Sequence, residues 1–432
     1  MNFMAAEVMI FGIIQKDTTN RTICDIMDTT FKCGRSRGDF MRPTIKQEEF
    51  IVRGQKVQDL MTKKGLDLVI AYADDRFVYG QAYARWLLNY QPAFEPAFIM
   101  IPAKGDVVIA TGAESVDFVY NFSNCKKAYA VWEFLHPDEE YPYCEVVGMK
   151  DVNADLEAAM DKKIGKVGLA GGSAVPYHMM LKLQEIYGAD NIVDIDEEMS
   201  LLRAVKSENE IEVIRYAYKI AQAGMDKVAE IIKPGMTERE VAAEAEYVMR
   251  KMGSEGMGID TMVAAGVEHT KPILARITDR VIQEGDLVVV TLAPRYQGYH
   301  GAIARPFFMG KQSETVENVF KLVKQAQEQT AAKLRPGVTA KEIDETSREV
   351  LNKAGIGNHF VYTGVHSTGV IEFEAPILAS TSNTVVEKNM VYSIDIPVFI
   401  TEWGGMRLEN GYLITEEGVE PLNNLDTSIC FK

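Results

Sequence analysis

Cysteines, histidines, basic residues and long apolar runs are all scarce in this chain, and each shortage excludes something. The five cysteines, Cys24, Cys33, Cys125, Cys144 and Cys430, are scattered without C-x-x-C spacing. That pattern excludes a zinc ribbon or a disulfide scaffold and predicts reduced thiols in a cytoplasmic protein. No run of about 18 apolar residues occurs, so no membrane-spanning helix is expected. Lys and Arg number 46 against 62 Asp and Glu, a formal net charge of -16. A nucleic acid or an anionic membrane selects clustered cations, so neither is expected as a partner, and a small-molecule substrate is.

What is present is an ordinary globular composition, 47% hydrophobic and 25% charged over 432 residues. That length accommodates two domains, each with its own core. Residues 1–40 read as an N-terminal extension. Met4 to Ile14 is apolar, but no basic stretch precedes it and no small-residue cleavage site clearly follows, so it is not read as a signal peptide. Phe31 to Arg42 reads as loop, and a regular pattern begins at Met41, where the functional start is expected.

From residue 41 to about 200 helices and strands alternate. Phe50, Val52, Val57, Leu60 and Met61 recur at helical spacing, and Gly65 then leads into the apolar run from Leu66 to Ala71. Ala97–Ile101 and Asp106–Ala110 read as strands joined through Pro102-Ala-Lys-Gly105. Further strands are predicted at 126–134, 166–170 and 191–195, with helices at 152–160 and 176–187. This is the pattern of a compact α/β domain.

The second domain, 201–432, is predicted to open at Ser207-Glu-Asn-Glu210, a capping box in front of a long amphipathic helix. It contains an internal repeat. Residues 231–253 align without gaps to 333–355, with identities at Pro234/Pro336, Gly235/Gly337, Thr237/Thr339, Glu240/Glu342, Val248/Val350, Lys251/Lys353 and Gly253/Gly355. Each copy is a Pro-Gly turn, a Thr-x-x-Glu capping box and a helix ended by glycine. The similarity runs on from Val281–Thr291 to Val385–Asp395, which pairs Thr291 with Asp395. Two pseudo-symmetric halves around one sheet are therefore expected.

The chemistry is expected in the second half. His366 lies between Gly364 and Gly369 and is read as a loop histidine presented beside a strand. Asp395 and Glu409 each interrupt an apolar strand, and a carboxylate in such a place needs a partner or a task.

The junction Leu202–Ile211, the two Pro-Gly-x-Thr-x-x-Glu repeats, Glu284–Val290, His366–Pro376 and Arg407–Gly418 together resemble the creatinase, prolidase and methionine-aminopeptidase superfamily, the pita-bread fold. The resemblance covers Met41 to Leu422. It implies an α/β creatinase-like N-terminal domain and an α+β pita-bread domain with internal two-fold duplication. Metallopeptidases of that superfamily hold two divalent metals through Asp, Asp, His, Glu and Glu. Those positions fall here at Thr291, Ala302, His366, Asp395 and Glu409, so both aspartates are missing and a paired-metal site is not expected.

The expected function is therefore a creatinase-like hydrolase of a carbon-nitrogen bond in a small polar substrate, without metal. His366 or His269 would move protons, and Asp395 and Glu409 would orient a cationic or amide group. The creatinase resemblance implies a proton-shuttling histidine near Glu268-His269, although strict alignment puts Leu274 there. It also implies a glutamate at Ala304. Ala302 and Ala304 face one side of a strand and would leave room for substrate, while Arg305 points away and braces the sheet. His300 reads as an exposed loop histidine. Creatinase-like homodimers imply that Phe94 and Glu95 reach over the neighbouring subunit's pocket. The alternatives are a mononuclear metal-dependent Xaa-Pro peptidase or lyase using His366, Asp395 and Glu409, and a catalytically silent pita-bread binding protein.

Overall fold

The computed structural model describes residues 42–76, 78–135 and 140–432. The expectations for residues 1–40 lie outside the described residues.

In the first domain a mixed sheet of seven strands runs in the order Val146–Val147, Ala128–Val131, Val108–Thr111, Ala97–Pro102, Leu68–Ala73, Val167–Ala170, Ile192–Asp194. The hairpin read from Pro102-Ala-Lys-Gly105 is present, with Phe98 opposite Ala110 and Ile99 opposite Ile109. Leu68–Ala73 is buried along its whole length because helices cover both faces, which is why it reads as an unbroken apolar run. The helices Gln47–Lys64, Met149–Met160 and Tyr177–Tyr187 lie within a few residues of their predicted spans.

The second domain is built on an eight-stranded sheet. Its main path runs Glu374–Ile377, Val365–Ser367, Val391–Thr401, Gly404–Ile414, Ile303–Phe308, Leu287–Leu292, Met262–Ala265, and Val419–Pro421 pairs with Gly404–Ile414. The duplication is seen strand by strand. Glu238–Lys251 and Ala340–Lys353 both start in complete capping boxes, Thr237 with Glu240 and Thr339 with Glu342. Each capping threonine also bridges to a matching valine, Thr237 to Val281 and Thr339 to Val385. The long helices Glu208–Ile231 and Glu314–Lys333 precede them.

The halves meet where Ala304 pairs with Glu409. Thr291 is opposite Ala304 in the first half, and Asp395 is opposite Glu409 in the second. Directly opposed residues of an antiparallel pair point to the same face, so all four look into one space, as the repeat required. Arg305 lies on the other face, as expected. Its guanidinium donates to the carbonyls of Ala304, Glu409 and Asn424 and to Asn410 Oδ1.

Buried polar contacts tie the first domain to the second. Arg53 Nη2 lies 3.3 Å from Glu210 and donates to Tyr299 Oη, which donates to Glu210 at 2.6 Å. At the start of the second domain, Arg203 and Lys206 both pair with buried Glu374. These pairs fix the segment 372–376 under the domain junction.

Candidate functional site

His366 is not in a loop. It sits in the strand Val365–Ser367 opposite Ser393, is 1% exposed, and stacks on Phe373 with ring centroids 4.1 Å apart. Nδ1–H donates to the Ser367 carbonyl at 3.1 Å, which leaves the Nε2 lone pair facing Glu409 Oε1 at 3.9 Å. Burial pushes the imidazole down to about 4, so it is neutral at pH 7.

Glu409 accepts from Ser393 Oγ at 2.7 Å. Burial, and then the neighbouring charges of Asp395 and Glu372, hold its carboxyl well above the usual range. Asp395 is engaged elsewhere. Tyr362 donates to its Oδ2, and Arg407 Nε stands 3.6 Å from the same oxygen, while Oδ1 has no partner. Burial outweighs Arg407 and raises Asp395 as well. Burial disfavours the charge of Arg407, but Asp395, Tyr362, Glu409 and Glu372 more than restore it.

The residue that sequence reading missed is Glu372. It is 5% exposed, Tyr79 of the first domain donates to it at 3.4 Å, and burial raises it to about 7. His366, Glu372 and Glu409 each bring one ligand-type atom into a group whose members all lie within 4.8 Å of one another. The carboxylate that joins His366 and Glu409 is thus Glu372 and not the expected Asp395, because Tyr362 and Arg407 hold Asp395 aside. Only the presence of an acid in the His366–Pro376 stretch hinted at this, and Glu374, two residues on, carried the same hint.

The remaining expected residues fall out differently. Thr291 is buried in the same face with its hydroxyl unpartnered, and Ala302 and Ala304 are fully buried beside it. None of the three offers a second anionic ligand, so a paired-metal arrangement does not fit. A single divalent cation does fit, because one imidazole and two carboxylates with raised protonation form a donor set that gains by neutralisation. The expectation of no metal is accordingly not supported.

His269 lies in the short helix Gly266–Thr270, and its Nδ1 is bound to buried Glu238 at 2.7 Å. Glu238 also accepts from Ala265 N and Thr278, so this histidine belongs to a loop anchor. Glu268 is exposed. Glu95 does not reach outward. It is 4% exposed and accepts from Ser115 N under Gly112, whereas Phe94 is 56% exposed. His300 is buried, not exposed, and donates through Nδ1 to the Gly369 carbonyl; burial drives it down to about 3.

Cys125, Cys144 and Cys430 are free thiols. Among the described residues no helix is long and apolar enough to cross a membrane.

Comparison with known proteins agrees with this architecture. Residues 53–205 match the creatinase/prolidase N-terminal domain, and residues 212–416 match metallopeptidase family M24. The Xaa-Pro dipeptidase of Pyrococcus furiosus is 32% identical over 328 residues, 76% of this chain and 90% of that protein. The Xaa-Pro dipeptidase of Pyrococcus horikoshii is 29% identical over 332 residues, 76% of this chain and 89% of that protein. Among solved structures, the prolidase from Pyrococcus horikoshii superposes with a TM-score of 0.74 at 26% identity, covering 88% of this chain and 99% of that one. The X-Pro aminopeptidase from Thermotoga maritima shares the fold, with a TM-score of 0.75 at 24% identity, covering 88% of this chain and 99% of that one. With both domains matched in order, the chain belongs to metallopeptidase family M24, in the creatinase and prolidase superfamily of pita-bread hydrolases.

Proposed function

We propose that this hydrolase cleaves the amide bond of a small Xaa-Pro-type dipeptide and uses a single divalent cation held by His366, Glu372 and Glu409. The observation that carries the reading is the convergence of those three buried donors within 4.8 Å. The similarity to Xaa-Pro dipeptidases supports the substrate class. A creatinase-like reaction without metal, the first expectation, leaves Arg407 as the cation facing Glu372, Glu409 and Asp395, and burial still holds all three carboxyls above their usual range.

When bound, the cation would polarise the scissile carbonyl and acidify a water molecule. The side chains do the rest. His366 is locked by its Nδ1–H bond to Ser367 and by Phe373, so Nε2 keeps one orientation. Ser393 orients Glu409, and Tyr79 reaches from the first domain to Glu372. Arg407, whose Nε is ion-paired with Asp395 at 3.6 Å, supplies positive charge for developing negative charge on the substrate, and Tyr362 keeps Asp395 turned toward it. Ala302 and Ala304 add only methyl groups to this face.

The test is metal content and turnover on the same sample. Reconstituted protein should hold one divalent cation per chain and hydrolyse members of an Xaa-Pro dipeptide panel, with activity lost on chelation and regained on adding metal. Undiminished hydrolysis after chelation would sink the metal reading and restore the metal-independent one.

A homodimer is part of the proposal, with exposed Phe94 as its contact. Light scattering at the mass of one chain would remove it.

A further inference from the structure

Three guanidinium groups meet on the small sheet formed by Gly256–Met257, Pro294–Tyr296 and Tyr299–His300, and none of them belongs to the His366 cluster. Arg85 comes from the first-domain helix Ala82–Leu88, Arg250 from the last turn of Glu238–Lys251, and Arg295 from the strand Pro294–Tyr296.

A single carboxylate, Glu255, serves them, and it is already engaged. Arg85 Nη2 donates to Oε1 at 2.6 Å, and the Gly298 amide donates to Oε2 at 2.9 Å. Among the described residues no carboxylate oxygen lies within 4.0 Å of Arg250 or Arg295. Arg295 is left with Gln81, whose side-chain oxygen, with the amide turned to satisfy its neighbours, accepts from the two terminal nitrogens at 2.9 and 3.0 Å, and its buried Nε has no hydrogen-bond partner. Arg250 makes one long bond, 3.5 Å, to the Ser254 carbonyl. Burial, together with the charges of Arg85 and Arg250, pulls the Arg295 guanidinium below its ordinary range even though Glu255 opposes the shift. In a chain of net charge -16, a partly buried surplus of positive charge needs an explanation.

The space between the two underused groups is shaped. A Cβ placed on Gly256 would stand 3.5 Å from Arg250 Nη2 and 3.5 Å from Arg295 Nη2, so the two nitrogens are no more than 7 Å apart, across a residue with no side chain. Gly256 is buried at φ 139, where a larger residue is strained. Two charge-assisted N–H···O bonds of about 2.8 Å to different oxygens of one tetrahedral oxyanion span such a gap.

We propose that Arg250 and Arg295, with Gly256 as the floor and Arg85 behind, bind a small multiply charged oxyanion of the phosphate class. Gln81 and Arg85 belong to the first domain, so an occupied site ties that domain's helix to the second.

The experiment is a series of calorimetric melts of the full chain at increasing inorganic phosphate, run beside potassium chloride at matched ionic strength. Phosphate should raise the melting temperature saturably and beyond the chloride control. Arg250→Gln, an exposed position that leaves the fold intact, should need at least tenfold more phosphate for the same rise, and Arg295→Gln likewise if it folds. No rise beyond chloride in the wild type, or an undiminished rise in Arg250→Gln, overturns the proposal; the second result would place phosphate elsewhere, for example at the His366 cluster.

Discussion

The two halves of the second domain have the same skeleton and opposite chemistry. Thr237 and Thr339 cap equivalent helices with equivalent glutamates, and each bridges to an equivalent valine. Yet the opposed pair Thr291/Ala304 in the first half stands where Asp395/Glu409 stands in the second, and by the same register Ala302 stands where Arg407 does. Backbone features that any sequence of this fold needs are kept on both sides. On the opposed face, ionisable groups, which are costly in a core unless they have a task, are kept on one side only. The duplication supplies the frame, and one copy carries the cluster of His366, Glu372 and Glu409.

The sharpest way to test that contrast is to remove a group from each half. His366→Ala or Glu409→Gln should lower turnover by about 10²-fold or more, the usual scale for a positioned ligand, acid or base. Thr291→Ala should leave turnover within about two-fold, as expected of a group outside the chemistry. His366→Ala should also cost about 1–3 kcal/mol in denaturant melts, because the ring is buried and stacked on Phe373 and not held in a loop. Equal losses from both halves would erase the asymmetry.

Restoring the first half is the converse. Thr291→Asp with Ala302→Asp should raise the metal stoichiometry from one to two. Without metal it should destabilise the fold by about 3 kcal/mol or more, since two unpaired carboxylates enter a buried face. Mass spectrometry and melts with and without manganese would check it, and an unchanged stoichiometry would mean that the face is no longer shaped for a second ion.

The halves should also respond to acid with opposite sign. His300, in the first half, is lowered to about 3 from 6.5, so its contribution is complete above pH 6.5 and is lost as the pH falls toward 3. Glu372, in the second, is raised to about 7 from 4.5, so in metal-free protein its contribution is complete below pH 4.5 and is lost as the pH rises through 7. Each amounts to at most about 3 to 5 kcal/mol by linkage. Stability profiles of metal-free His300→Gln and Glu372→Gln should therefore diverge from wild type in opposite directions between pH 7 and pH 4; parallel profiles would contradict the assignment.

The smallest effect concerns what the halves share. Thr237→Ala and Thr339→Ala should each cost about 1 kcal/mol, the usual loss of a capping side chain. A large difference between them in thermal melts would show that the helices are not equivalent.

Much of this was legible in the sequence, because it rests on local or periodic signals. Pro-Gly turns, Thr-x-x-Glu boxes and glycine stops declare helix ends within a few residues of themselves, so the repeat could be read and Thr291 matched with Asp395. Period-two alternation placed Arg305 on the face opposite Ala302 and Ala304, where its guanidinium does brace the sheet. Tertiary structure decided burial and partnership. It turned His366 and His300 from loop residues into buried ones. It gave His269 to Glu238, and it folded Glu95 inward. Above all it separated Glu372 from Glu374. The two acids lie two residues apart in one segment, but Arg203 and Lys206 neutralise Glu374, while Glu372 is left beside His366 and Glu409 with, among the described residues, the Tyr79 hydroxyl as its side-chain donor. Those partners lie about 170 and 290 residues back along the chain, and a local pattern carries no information about which of two neighbouring carboxylates a distant cation will reach.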